Sequence, residues 1–180
     1  MTKKDDPAEL DQDVARREKF RKLGEAGVPL FPYTAPRTHE VAEVVGAFAC
    51  LTAAELEEKG AAVVVPGRIL SVRKMGRATF FHVSDGRERL QAYVREDKVG
   101  AEAYERFGLY DLGDVVSVSG TLFKTRTGEL TVLCDAVTFL AKCAETATAP
   151  TETVASLWKD GAQLRPMSSD FHSPLGPTAA

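Results

Sequence analysis

A chain of 180 residues with a hydrophobic fraction of 44% has material for one sizeable core plus appendages, so one main domain is expected. A net charge of -3 excludes a protein that coats nucleic acid through overall basicity, and no apolar run approaches the length of a bilayer. Cys50, Cys134 and Cys143 are odd in number, form no C-x-x-C pair and follow no signal peptide, which points away from a disulfide framework or zinc site and toward a cytoplasmic protein.

Residues 1–10 are polar and are expected to be disordered. The spacing of Phe20, Leu23 and Ala26 predicts a helix over 12–26, ended by Gly27, Pro29 and Pro32. Arg16, Arg17, Lys19, Arg21 and Lys22 cluster on its other sides, and this cluster reads either as a solvated face or as a set of phosphate contacts. Short helices over 40–48 and, behind a Thr52 N-cap, over 53–59 complete a helical extension spanning 11–62.

Strands follow over 63–73, 78–84 and 89–95, with turns at 74–77 and 85–86. A helix is expected over 100–110, with Ala103 and Phe107 turned inward. Two further strands, 115–123 and 129–140, flank a hairpin turn at 124–128. Cys134 shares the last strand with Leu130 and Val132 and reads as a small core residue. Residues 143–162, CAETATAPTETVASLWKDGA, are Ala/Thr-rich, so 143–180 is expected to be a disordered, linker-like tail in which Trp158 is either a stray exposed aromatic or a docking point.

The second and third strands carry the chemistry. With Phe81, Val83, Leu90, Ala92 and Val94 directed to a core, the period of two sends Phe80, His82, Gln91 and Tyr93 to the other face. Seven Lys/Arg lie between Gly67 and Arg95, against Asp85 and Glu88. Aromatic rings stack on any base, an amide reads a base edge and guanidinium groups such as those of Arg73 and Arg77 hold phosphates, so this face suits unpaired nucleotides; a half-buried sheet with edge aromatics is the plainer reading. The element order strand, strand, strand, helix, strand, strand is that of the OB-fold, a five-stranded, partly open barrel. OB barrels also bind sugars and proteins, so a generic single-strand or protein-binding module stays open at this point.

The segments RREKFRKLGEAGVPLFPY, RTH, GRILSVRKMGRATFFHVSDGRERLQAYV and DLGDVVSVSGTLFKTRTGELTV together resemble the N-terminal anticodon-binding domain of class II lysyl-tRNA synthetases over residues 14–142. The resemblance implies that Phe80 stacks on the middle anticodon base, a uridine for lysine, while Gln91 and Arg73 hydrogen-bond its edge. It also implies that Glu129 reaches a neighbouring anticodon base from the last hairpin loop. It gives no role to His82 or Tyr93. Uracil offers an N–H donor and two carbonyl acceptors, a set that an amide and a guanidinium suit independently of any family.

The pattern departs from the family after Lys142, where the arginine and glycine-rich motifs of the catalytic domain are not found. Residues 164–172 resemble the linker that joins the two domains. No nucleophile–base pair or phosphate-binding loop is seen, and the widely separated His39, His82 and His172 suggest no metal site. The expectation is therefore a binder of tRNA, with a full-length synthetase as a further partner, and not an enzyme as this chain alone. No cofactor is expected, ATP and magnesium belonging to a catalytic domain of the parent; the alternative is the N-terminal piece of a complete lysine–tRNA ligase.

Overall fold

The computed structural model describes residues 7–32, 34–35 and 37–143. The expectations for residues 1–6 and for the tail from 144 onward, Trp158 and the 164–172 segment included, lie outside the described residues. Helices α1 (Pro7–Glu25), α2 (Val41–Phe48) and α3 (Ala53–Lys59) precede strands β1 (Ala62–Met75), β2 (Ala78–Ser84) and β3 (Arg89–Arg95). Helices α4 (Glu96–Val99) and α5 (Ala101–Phe107) then lead to β4 (Val115–Lys124) and β5 (Leu130–Ala141).

Helix α1 begins within the stretch expected to be disordered, which corrects that expectation for residues 7–10. Proline suits a first helical position, because its missing N–H would have no intrahelical acceptor there. At the other end Gly27 takes a left-handed φ of 72°, its N–H donates to Gly24 O at 3.0 Å and Val28 N–H donates to Leu23 O at 3.1 Å. That pair of bonds satisfies the last carbonyls and turns the chain away. Leu23 is fully buried, whereas Ala26 lies past the helix end and is exposed, so the expected apolar face is narrower than its spacing suggested.

The helices α2 and α3 are set by local capping. Thr52 accepts from Glu55 N–H while the Glu55 carboxylate accepts from Thr52 N–H at 2.7 Å, and Glu40 with Glu43 repeats the arrangement before α2. Each box satisfies two otherwise orphan donors. Val41, Val44 and Leu56 then enter the same apolar cluster as the barrel residues Val65, Phe81 and Val118. Thr38 fastens this extension to β1, donating its N–H to Val64 O at 2.9 Å and accepting Val64 N–H on its hydroxyl at 2.8 Å.

The strands close into a barrel in the order β1-β2-β3-β5-β4. All neighbours are antiparallel except β3 and β5, which meet in parallel from Gln91–Thr131 to Tyr93–Leu133, so closure at this seam is short. The barrel was expected to be partly open; the β1–β4 ladder from Ala62–Thr121 to Arg68–Val115 completes it. Alternation places Phe81, Val83, Leu90, Ala92 and Val94 inside, as the period of two requires, and Phe107 of α5 packs on Phe81 at 4.9 Å. Helix α5 is shorter than the predicted 100–110, because Gly108 caps it, and α4 was not anticipated. Burial pushes the Cys134 thiol pKa up, in keeping with a core cysteine.

Candidate nucleic-acid interface

Two rows of side chains cross the outer face of β1, β2 and β3. Pairing sets Arg73 opposite Phe80 and Phe80 opposite Tyr93 in one row; Ser71, His82, Gln91 and Thr131 form the next. Ser71 and Arg73 share this face because the ladder shifts register between Ile69 and Ser71, a bulge that resets the alternation of β1.

In the first row the Phe80 and Tyr93 rings stack at 4.1 Å between centroids, and Phe123 of β4 follows Tyr93 at 6.4 Å. Both Phe80 and Tyr93 are half-buried. Arg73 is exposed and, among the described residues, its side chain makes no hydrogen bond or ion pair, so its five guanidinium donors are available to a ligand. Register places it on the side of Phe80 away from Tyr93.

The second row is a continuous polar chain. Gln91 Nε2 donates to Glu129 Oε2 at 2.7 Å, and Thr131 Oγ1 donates to Gln91 Oε1 at 2.8 Å. His82 Nε2 lies 3.0 Å from Glu129 Oε1, and its Nδ1 lies 2.9 Å from Ser71 Oγ. The turn after β4 aims Glu129 at this row: Thr125 N–H donates to Glu129 O at 3.0 Å, Glu129 N–H donates to Thr125 Oγ1 at 3.1 Å, and Gly128 adopts φ 85°.

The structure thus brings together Arg73, Phe80, Gln91, Glu129, His82 and Tyr93. It sets the other basic candidates apart. Arg77 forms a two-pronged pair with Glu96 at 2.7 and 2.6 Å, in which each group strengthens the charged form of the other: the Glu96 carboxyl is held below its usual range. Lys19 pairs with Asp111, and Arg16 Nη1 donates to Cys143 O at 3.5 Å, so two members of the α1 cluster face the barrel end near residues 111–114 and 142–143. Glu129 lies beside the opposite end of the twelve-residue β5. Arg17 is exposed on the outer side of α1.

Sequence reasoning missed Ser71 and Thr131. Ser71 depends on the bulge, and Thr131 is a fully buried residue whose hydroxyl nonetheless reaches Gln91. Among the described residues no group of three or more His, Cys, Asp or Glu side chains is placed to hold a metal ion, and no helix is long and apolar enough to cross a membrane.

A stacked aromatic pair, an unpaired guanidinium and an oriented amide–carboxylate pair on the β1–β2–β3 face form a surface of the kind on which OB barrels hold oligonucleotides. Residues 63–140 match the family described as OB-fold nucleic acid binding domain of the tRNA anti-codon type. The chain is 42% identical over 132 residues to a lysine–tRNA ligase of Bacillus subtilis (strain 168), an alignment covering 73% of this chain and 26% of that protein. It is 43% identical over 132 residues to the lysine–tRNA ligase of Enterococcus faecalis, again 73% of the chain and 26% of the relative. Identity is 39% over 162 residues with that of Lysinibacillus sphaericus, covering 90% of the chain and 28% of the relative. The chain spans about a quarter of the length of these relatives. Residues 63–140 thus match the OB-fold anticodon-binding family, and the chain matches the anticodon-binding domain of lysine–tRNA ligases.

Proposed function

We propose that this chain binds tRNA by reading the lysine anticodon loop on the face of Phe80, Arg73, Gln91 and Glu129. The observation that carries this reading is the co-location of those four side chains, because the stacking ring, the free guanidinium and the amide meet the π-face, the carbonyl oxygens and the N–H of a uracil. The relatives' names support the choice of tRNA and of lysine. A cytoplasmic setting goes with that role.

The test is titration of the chain with a fluorescent RNA hairpin carrying the lysine anticodon and with a hairpin of the same stem and an unrelated loop, at one fixed salt concentration. Preference for the lysine loop is expected; equal affinity would leave a generic single-strand binder.

We further infer that the chain alone does not activate lysine and takes no ATP or magnesium, its described residues being an extension and a barrel whose identified site is an open face. Activation needs ATP and the amino-acid carboxylate positioned together with charge stabilised at the α-phosphate. Lysine-dependent exchange of pyrophosphate into ATP above a buffer control, surviving a second purification step, would overturn this. Covalently joined or separate, a catalytic domain would act as the partner that uses the anticodon contact.

A further inference from the structure

We propose that Glu129 and Thr131 hold the side-chain amide of Gln91 in one orientation and so bias it toward uracil over cytosine, an inference that rests on the anticodon-reading role above. A glutamine amide carries a donor end and an acceptor end that exchange places when it turns over. Uracil presents a carbonyl acceptor beside its ring N–H donor. Cytosine presents an amino donor beside a ring-nitrogen acceptor, which is the reverse pattern. An amide free to turn would pair with either base, so Gln91 adds to discrimination at the middle position only if something fixes it.

The polar row supplies it. Gln91 Nε2 donates to Glu129 Oε2 at 2.7 Å and Oε1 accepts from Thr131 Oγ1 at 2.8 Å, the shorter of two contacts open to that single hydroxyl proton, the other being Glu129 O at 3.1 Å. Turned over, Oε1 would face the Glu129 carboxylate at the same separation, two acceptors with no hydrogen between them. The carboxylate is itself held: His82 Nε2 reaches its Oε1 at 3.0 Å, Ser71 Oγ bonds the other ring nitrogen at 2.9 Å, and the Thr125 hydroxyl accepts Glu129 N–H at 3.1 Å. A second N–H on Nε2 and a second lone pair on Oε1 are not used by these two bonds and remain for a base. Glu129 and Thr131 are positioning residues in this account, acting on the base through Gln91. Thr131 is fully buried, so its hydroxyl meets the nucleic acid only by that route.

The test is the ratio of dissociation constants for two lysine-anticodon hairpins, one with the middle uridine and one with cytidine in its place. It is measured on the full chain for wild type, Thr131→Val, Thr131→Ser and Glu129→Gln. Loss of one neutral hydrogen bond predicts that Thr131→Val lowers the ratio about fivefold. Thr131→Ser, which keeps the hydroxyl, restores it, and Glu129→Gln lowers it at least as far because an amide at 129 accepts either orientation. Far-UV circular dichroism checks the buried Thr131→Val variant, and the exposed Glu129→Gln substitution carries the test should that variant misfold. A wild-type preference for uridine that persists undiminished in Thr131→Val and Glu129→Gln would overturn the lock and leave anticodon reading intact. Preference for the lysine loop over an unrelated loop without discrimination between uridine and cytidine would also overturn the lock alone, whereas no preference for the lysine loop at all would remove both.

Discussion

The rings of Phe80 and Tyr93 lie face to face, 4.1 Å apart with 14° between their planes. One face of Phe80 is therefore already covered, and the other is turned toward β1, where Arg73 sits directly across the ladder. A base entering there extends an existing stack and meets a guanidinium with no protein partner among the described residues. Phe80→Ala is expected to weaken binding of the lysine-anticodon hairpin by about 1–3 kcal/mol, the scale of a base–aromatic stack, and to leave the slope of affinity against salt unchanged. Titrations at three salt concentrations check both parts; a changed slope with unchanged affinity at low salt would place the contribution in the phosphates.

Part of the charge on α1 is paired within the fold. Lys19 and Lys142 converge on Asp111, and Lys142 Nζ also reaches Asp114 Oδ2 at 3.0 Å and Leu109 O at 3.4 Å. The Asp114 side chain is 0% exposed and that of Lys142 is 8%. Removing one partner of so buried a pair leaves an uncompensated charge, so Lys142→Met is expected to cost about 3–5 kcal/mol in chemical denaturation. Lys19 is far more exposed, at 36%, and Lys19→Met is expected to cost about 0.5–1 kcal/mol and to leave the salt slope of RNA binding unchanged. A flattened slope in Lys19→Met would return this helix to the phosphate contacts.

A third prediction concerns β4. A Cβ on Gly120 would lie 2.0 Å from Leu133 O and 3.0 Å from Cys134 Cα, both backbone atoms of β5 that cannot swing aside. Gly120→Ala must therefore part the ladder beside the register shift at Ser119 and Gly120. A loss of about 3 kcal/mol is expected, read as a lower urea midpoint. Retention of the wild-type midpoint would mean that the bulge absorbs the methyl group.

The strands were legible because a period-two pattern bounded by Gly and Asp turns fixes both their limits and their faces; β2 and β3 fall where the pattern puts them. The start of α1 was not, since its first turns are polar and carry no apolar repeat, and four-residue α4 is too short to establish a period. The same contrast holds at the interface. Phe80, Gln91 and Tyr93 follow from alternation alone, whereas Ser71 needs the bulge and the Gln91–Glu129–His82 chain needs the β3–β5 register, which no local pattern encodes. The basic residues show a related limit: composition shows that Arg77 and Lys19 are charged, and only the fold shows Glu96 and Asp111 beside them.

Asp85 gives the last prediction. Its carboxylate accepts N–H bonds from Arg87 at 2.9 Å and Glu88 at 3.0 Å, which close the β2–β3 turn, and from Ala42 at 2.9 Å in the first turn of α2. Burial pushes this carboxyl pKa up, but the bonds from Glu88, Ala42 and Arg87 together outweigh burial and hold it below the usual range. A carboxyl whose pKa falls on folding stabilises the native state above its unfolded pKa, about 3.9, and that contribution is lost as pH drops through the lower folded value. Asp85→Asn keeps one oxygen acceptor and removes the charge. It is expected to cost about 1 kcal/mol at pH 7, the scale of a lost cap, with the difference from wild type shrinking below about pH 3.9. Urea denaturation of both proteins at pH 7, 4 and 3 checks this; a difference that stays constant across the three would show that the charge of Asp85 contributes nothing and that only its shape matters in holding α2 to the turn.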